Sequence, residues 1–186
     1  ADAGHVHAAD TRDAARTELV DAWDRDQQRH PGASRIILTH TNDEVRSLNE
    51  DVRDRLRAGG ALGEDVAIKV ERGERMFAEG DRVMFLRNER DMGVKNGSLG
   101  TVQNVDRTRM AVMLDDGRSV AFDLKDYAHV DHGYAATIHK AQGSQAREVT
   151  VLLPGFATSV KVNNELCVAE TVIVGNVPQT YTYFST

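Results

Sequence analysis

The run Thr137-Ile138-His139-Lys140-Ala141-Gln142-Gly143 gathers the side chains of this sequence that are best suited to holding an anion. Threonine supplies a hydroxyl donor, histidine a switchable imidazole and lysine a point charge, while glycine permits close backbone approach. The surrounding pattern predicts an extended arm, a short helix over about 134–141 and a glycine turn. A helix start of that kind adds backbone N–H groups and the positive end of a helix dipole, both of which suit a phosphate. The competing reading is a helix that happens to carry polar residues. A second polar pair, Thr41-Asn42, stands between an apolar run and a periodic segment, where helix capping explains it on its own. A third set, Arg90 and Lys95, falls in Asn88 to Asn96, "NERDMGVKN", which reads as a solvated loop between strands.

Other chemistries are thinly supplied. Cys167 is the single cysteine, so neither an internal disulfide nor a cysteine-based metal site is available, and a reducing cytoplasm is expected. The seven histidines are scattered, and His5 and His7 read as part of a solvated terminus rather than a metal site. No Ser-His-Asp arrangement or glycine-rich dinucleotide turn is present. No segment reaches the roughly 18 apolar residues of a membrane span. The formal charge of -6 argues against indiscriminate coating of nucleic acid, so any contact with it must be local. Most of the arginines alternate with Asp or Glu, as in "RTELVDAWDRDQQR", and such runs read as solvated helix surface.

The elements that must position these residues follow from periodicity. Asp10 or Thr11 caps a helix running to about Arg29, with Ala15, Leu19, Ala22 and Trp23 on its apolar face and Pro31-Gly32 stopping it. Residues 35–40, "RIILTH", form a buried strand. A second helix follows from Thr41-Asn42, with a stripe of Val45, Leu48, Val52 and Leu56, and ends at Gly59-Gly60. From Ala67 to about Tyr127 the period becomes alternating, divided by Asn96-Gly97 and Asp116-Gly117, which predicts short antiparallel strands and hairpins. Strand spacing this tight points to a small SH3-like barrel. A buried strand returns at 149–153. After Gly155 only Lys161, Glu165 and Glu170 are charged. There Leu166, Val168 and "TVIVG" are expected to pack on the sheet as a short helix and an edge strand.

Three segments in order carry a resemblance: "ILTHTNDEVRSLN" at 37–49, "GDRVMFLRNERDMGVKNGSLGTV" at 80–102 and "GYAATIHKAQGS" at 133–144. Together they resemble the second RecA-like domain of RecD-type, superfamily 1B helicases. The wording of "FLRNERDMGVKNGSLGTV" and "DLKDYAHVDHGYAATIHKAQG" is similar to conjugative-transfer relaxase/helicases of the TraA type. The resemblance covers about 10–155. It implies an α/β fold in which a partial RecA-like parallel sheet, residues 1–71 and 132–186, carries an inserted SH3-like β-barrel, residues 72–131.

It also implies roles. Thr137, His139 and Lys140 would meet single-stranded DNA phosphates, joined by Thr41, Asn42, Arg90 and Lys95. Gln142, Gly143 and Gln145 would lie near the nucleotide, with Gln145 where many relatives place an acidic group. ATP and magnesium are implied for a longer parent that also holds the first motor domain and a relaxase domain. No G-x-x-x-x-G-K-[ST] phosphate loop occurs in this stretch, and no arginine follows Arg147, with Val172 standing where an arginine finger is expected. No catalytic residue is therefore expected here. The alternative reading is a non-catalytic SH3-like module that binds DNA or a protein of the transfer machinery.

Overall fold

The Thr11 side chain accepts the Ala14 N–H at 3.1 Å, which satisfies one of the donors that a helix start leaves unpaired. The computed structural model describes residues 6–8, 11–39, 41–137, 148–153, 156–161, 169–174 and 177–182. A short strand, β1 (Val6–Ala8), precedes the capped helix α1 (Arg12–Arg29). Ala15, Leu19 and Trp23, three of the four residues expected on its apolar face, are buried, together with Val20.

The apolar run after Pro31-Gly32 forms β2 (Arg35–Thr39), buried at every position. Helix α2 (Asn42–Ala58) follows, and Leu48 and Val52 of its stripe are fully buried. Burying such a side chain is worth about 1.5–3 kcal/mol. The chain divides into two compact units, residues 1–52 with 135–186 and residues 53–134.

In the second unit β3 (Val66–Val70) and β4 (Gly73–Phe77) pair as a hairpin. The following strands are β5 (Arg82–Phe85), β6 (Leu99–Val105), β7 (Arg109–Leu114), β8 (Ser119–Asp123) and β9 (Val130–His132). They form an antiparallel sheet of order β8-β7-β6-β5-β9. The Asp116-Gly117 turn joins β7 to β8 with Gly117 at φ 87°, the left-handed region that glycine enters without strain. One core serves the hairpin and the sheet: Phe77, Phe85, Met110, Val112, Phe122 and Tyr127 belong to it, with the Phe85, Phe122 and Tyr127 rings 5.4–5.8 Å apart.

The strands are mixed with helices as expected, but among the described residues no sheet closes into a barrel. After β8 the chain turns at 124–129 and returns beside β5 rather than β8, so β8 and β9 remain the two edges.

The first unit resumes with β10 (Ala135–Thr137), β11 (Glu148–Leu153) and β12 (Phe156–Lys161). Its sheet has the order β1-β12-β11-β2-β10, in which β11, β2 and β10 are parallel and β12 and β1 antiparallel. The helix expected over 134–141 is corrected in part. Ala135, Ala136 and Thr137 are strand, because they align in parallel with Ile37, Leu38 and Thr39 and are buried there. Residues 138–141 lie outside the described residues.

In the tail, β13 (Ala169–Val174) and β14 (Val177–Thr182) pair with each other. Residues 171–174 of "TVIVG" are thus in a two-stranded sheet of their own rather than at the edge of the parallel one, because their ladder partner is the next strand. The helix expected around Leu166 and Val168 lies outside the described residues.

Candidate nucleic-acid interface

Thr137 ends β10 in register with Thr39 at the end of β2, and is 8% exposed. In-register residues of parallel strands face the same side of the sheet, so the two threonines share a face. Thr39 donates its hydroxyl to the carboxylate of Glu44 on α2, which is itself buried. Two threonines and a carboxylate thus gather at the carboxyl end of the parallel strands.

Thr41 is the N-cap of α2 and forms a capping box with Glu44. Its hydroxyl accepts the Glu44 N–H at 3.2 Å and donates to the Glu44 carboxylate at 3.2 Å, and its own N–H reaches the same carboxylate at 3.3 Å. The capping role is therefore made, and it occupies the hydroxyl. Asn42, the first residue of α2, is exposed.

Arg90 and Lys95 lie in the connection between β5 and β6, which has internal order. Glu89 and Val94 exchange backbone hydrogen bonds of 2.9 and 3.1 Å, and the Asn96 N–H reaches Asn88 Oδ1 at 2.8 Å. Val94 is in the core and Met92 packs against it, while Arg118 donates to the Gly93 carbonyl at 3.1 Å. Pinned at those points, the loop leaves Arg90 and Lys95 exposed. By contrast Arg82 and Arg118 pair with Asp115 and Asp116 at 2.6 Å. His139, Lys140, Gln142, Gly143 and Gln145 lie outside the described residues.

Two residues with structural consequence were not singled out by pattern. Asp81, 0% exposed, accepts the Arg53 Nε–H with both carboxylate oxygens (2.9 and 3.0 Å), and also accepts the Tyr134 hydroxyl (2.8 Å) and the Ala78 N–H (2.7 Å). Its side-chain partners are 28 and 53 residues away in sequence, so local pattern does not mark it. Asn49, on α2, accepts the Ala135 N–H at 2.9 Å and donates to the Ala135 carbonyl at 3.4 Å.

Burial raises the Tyr134 hydroxyl well above its ordinary value, and the nearby Asp81 charge adds to the rise. Burial pushes the Tyr127 hydroxyl up to about 12. Burial also holds His132 below the usual histidine value; the Asp81 charge opposes this, and the Arg53 charge adds to it. For Asp65, burial acts upward but hydrogen bonds from Arg53 and Arg57 outweigh it, leaving the carboxyl below its ordinary value.

Among the described residues no group of three or more His, Cys, Asp or Glu is placed to hold a metal ion. No described helix is long and apolar enough to cross a membrane.

Comparison with known proteins gives the lineage of this arrangement. The chain is 38% identical over 137 residues to the conjugal transfer protein TraA of Agrobacterium fabrum, covering 72% of this chain and 12% of that protein. It is 36% identical over 152 residues to the TraA of Sinorhizobium fredii, described as a probable conjugal transfer protein, covering 80% of this chain and 14% of the relative. This chain belongs to the TraA type of conjugal transfer proteins, as one region of them. A further match, 40% identical over 75 residues, is the RecBCD enzyme subunit RecD of Mycolicibacterium smegmatis, covering 40% of this chain and 13% of that subunit.

The chain spans only 12–14% of the TraA relatives it matches. No protein-family model matches the sequence. Among solved structures, a Pif1 helicase from Bacteroides in complex with ADP-AlF3 and ssDNA aligns at 23% identity and a TM-score of 0.48, covering 65% of this chain and 36% of that one. Unliganded Pif1 from Bacteroides sp aligns at 20% identity and a TM-score of 0.45, covering 63% and 46%. Both are loose, partial likenesses.

Proposed function

We propose that this TraA-type region is the second half of an ATP-driven DNA motor, supplying single-stranded DNA grip and one side of a nucleotide site within a longer conjugative-transfer protein. The observation that carries this reading is the meeting of β2, β10 and β11 as parallel strands, with Thr39, Thr41-Asn42 and Thr137 at the carboxyl ends of β2 and β10. Ligands of open α/β sheets bind outside those ends. The 36–38% identity with TraA supports placing it in such a protein.

In this reading residues 1–71 and 132–186 act as the RecA-like domain, and 72–131 as an SH3-like insertion with open edges. Thr137, His139 and Lys140 contact phosphates from the first, with Thr41 and Asn42 beside them. Arg90 and Lys95 contact phosphates from the second. Gln142, Gly143 and Gln145 approach the nucleotide.

ATP with magnesium, bound in the parent, supplies the free energy of phosphoryl transfer. The phosphate loop and the metal-holding carboxylates belong to the upstream motor domain, so this region is not catalytic alone. A relaxase domain on the same polypeptide and a cytoplasmic location complete the reading, the latter consistent with the single Cys167.

The test is anisotropy of a labelled single-stranded oligonucleotide at low salt. Thr137→Ala and Lys140→Ala are each expected to weaken binding. Unchanged affinity in both variants overturns the reading in favour of a module without motor function.

A further inference from the structure

We propose that Asn49 is a positioning residue for single-strand binding: its carboxamide holds the peptide groups of Ala135 and so fixes where Thr137 stands. The proposal rests on the DNA reading above and adds to it a residue that does not itself touch the strand.

Asn49 is 4% exposed, on the same buried face of α2 as Leu48 and Val52. Its Oδ1 accepts the Ala135 N–H at 2.9 Å and its Nδ2 donates to the Ala135 carbonyl at 3.4 Å, across 86 residues of sequence. One amide therefore takes both polar groups of one residue. Among the described residues β10 pairs with β2 alone and forms the outer strand of its sheet. In a parallel ladder the N–H and C=O of a given residue face the same side. The Asn49 carboxamide thus does for Ala135 what a further strand would do.

The strand needs such a fixture. β10 is three residues long, and parallel pairing is slightly the weaker kind per residue. Its side chains are two alanines and a threonine, which offer little bulk to set a register. A slip of one residue would turn Thr137 from the face it shares with Thr39 to the opposite one. A side-chain amide that fits the N–H and C=O of one residue only opposes that slip. Ala135 is also buried, so releasing it would take both Asn49 hydrogen bonds from its N–H and C=O away from water.

The experiment uses the whole chain, a labelled oligothymidylate at low salt, and Thr137→Ala and Arg90→Ala made in wild-type, Asn49→Ala and Asn49→Asp backgrounds. Asn49→Ala removes both hydrogen bonds. Asn49→Asp keeps the size and one acceptor, so it carries the test if the alanine variant fails to fold. Amide exchange at residues 135–137 reports the clamp without reference to DNA.

Asn49→Ala is expected to lower Ala135 protection and to weaken binding roughly fivefold to tenfold, comparable with Thr137→Ala. Adding Thr137→Ala to an Asn49 variant should then weaken binding little further, whereas adding Arg90→Ala should bring its own full loss. Additive losses for Asn49 and Thr137 overturn the proposal, as does unchanged affinity in a variant whose Ala135 protection has fallen. If Thr137→Ala alone is silent, the DNA role of that strand falls and the positioning role falls with it. If Thr137→Ala weakens binding while both Asn49 variants bind like wild type, only the positioning role falls.

Discussion

Asp81 shows how much one side chain can hold. Its carboxylate is fully buried and receives Arg53, the Tyr134 hydroxyl and the Ala78 N–H. Removing one member of a buried pair strands the other, at a cost of about 3–5 kcal/mol. Asp81→Ala is expected to destabilise the chain by that order in urea denaturation, and Asp81→Asn by less, because an amide oxygen can still accept. A loss below about 0.5 kcal/mol for Asp81→Ala would show that Arg53, which also bonds Asp65, needs no second partner.

His132 gives a pH dependence of known sign. Its ring lies 4.5 Å from that of Phe77 and bonds the Met76 carbonyl at 2.9 Å, and burial keeps its folded-state value below the unfolded value of about 6.5. Between those two values the unfolded chain binds the proton and the folded chain does not, so stability falls as pH drops through that window. His132→Gln should flatten the urea midpoint over this range. Asp65 acts at lower pH: its depressed folded value gives stability that is present above about 3.9 and lost as pH falls through the folded value.

At the scale of elements, what was legible in the sequence was whatever depends on near neighbours. The α1 cap at Thr11, the extent of α2 up to Gly59 and the turn at Asp116-Gly117 follow from residues within four positions of each other. The stretch 135–137 did not follow, because its strand character comes from alignment with Ile37, Leu38 and Thr39 about a hundred residues earlier. Barrel closure failed for a similar reason, since it depends on which edges find each other and not on alternation within strands. The candidate residues were legible by type, Thr137 on one unit and Arg90 and Lys95 on the other, but the buried polar partners within the first unit, Asn49 and Glu44, were not. Both are polar residues on a helix, where pattern assigns them to the solvated side.

Gly133 tests the element level directly. A Cβ there would lie 2.7 and 2.8 Å from the carbonyl carbon and oxygen of Val83 and 3.0 Å from the Met84 nitrogen, which are backbone atoms of β5 that cannot rotate away. Gly133→Ala is expected to force β9 from β5 and to cost about 1–3 kcal/mol. Gly32→Ala, with nothing within 4 Å, is the matched control for a denaturation series.

At the scale of the molecule, the proposed DNA binding has to be reconciled with a charge of -6. A basic molecule would bind through its whole field, with steep salt dependence, whereas local contacts release only as many counterions as there are cations in contact. Arg90, Lys95 and Lys140 are the cations in the proposed reading, taken on each unit separately. Three contacts to a single strand predict a slope of about -2 in log affinity against log salt, since each contributes about -0.7. Arg90→Gln should make the slope shallower by about 0.7 and leave Thr137→Ala still effective. Thr137→Ala should weaken binding with no change of slope, because a hydroxyl releases no counterion. Titrations across a fourfold range of salt separate these outcomes. A slope steeper than about -4 would mean that contacts other than these three dominate, while a slope near zero would mean that phosphate charge is not what the chain recognises.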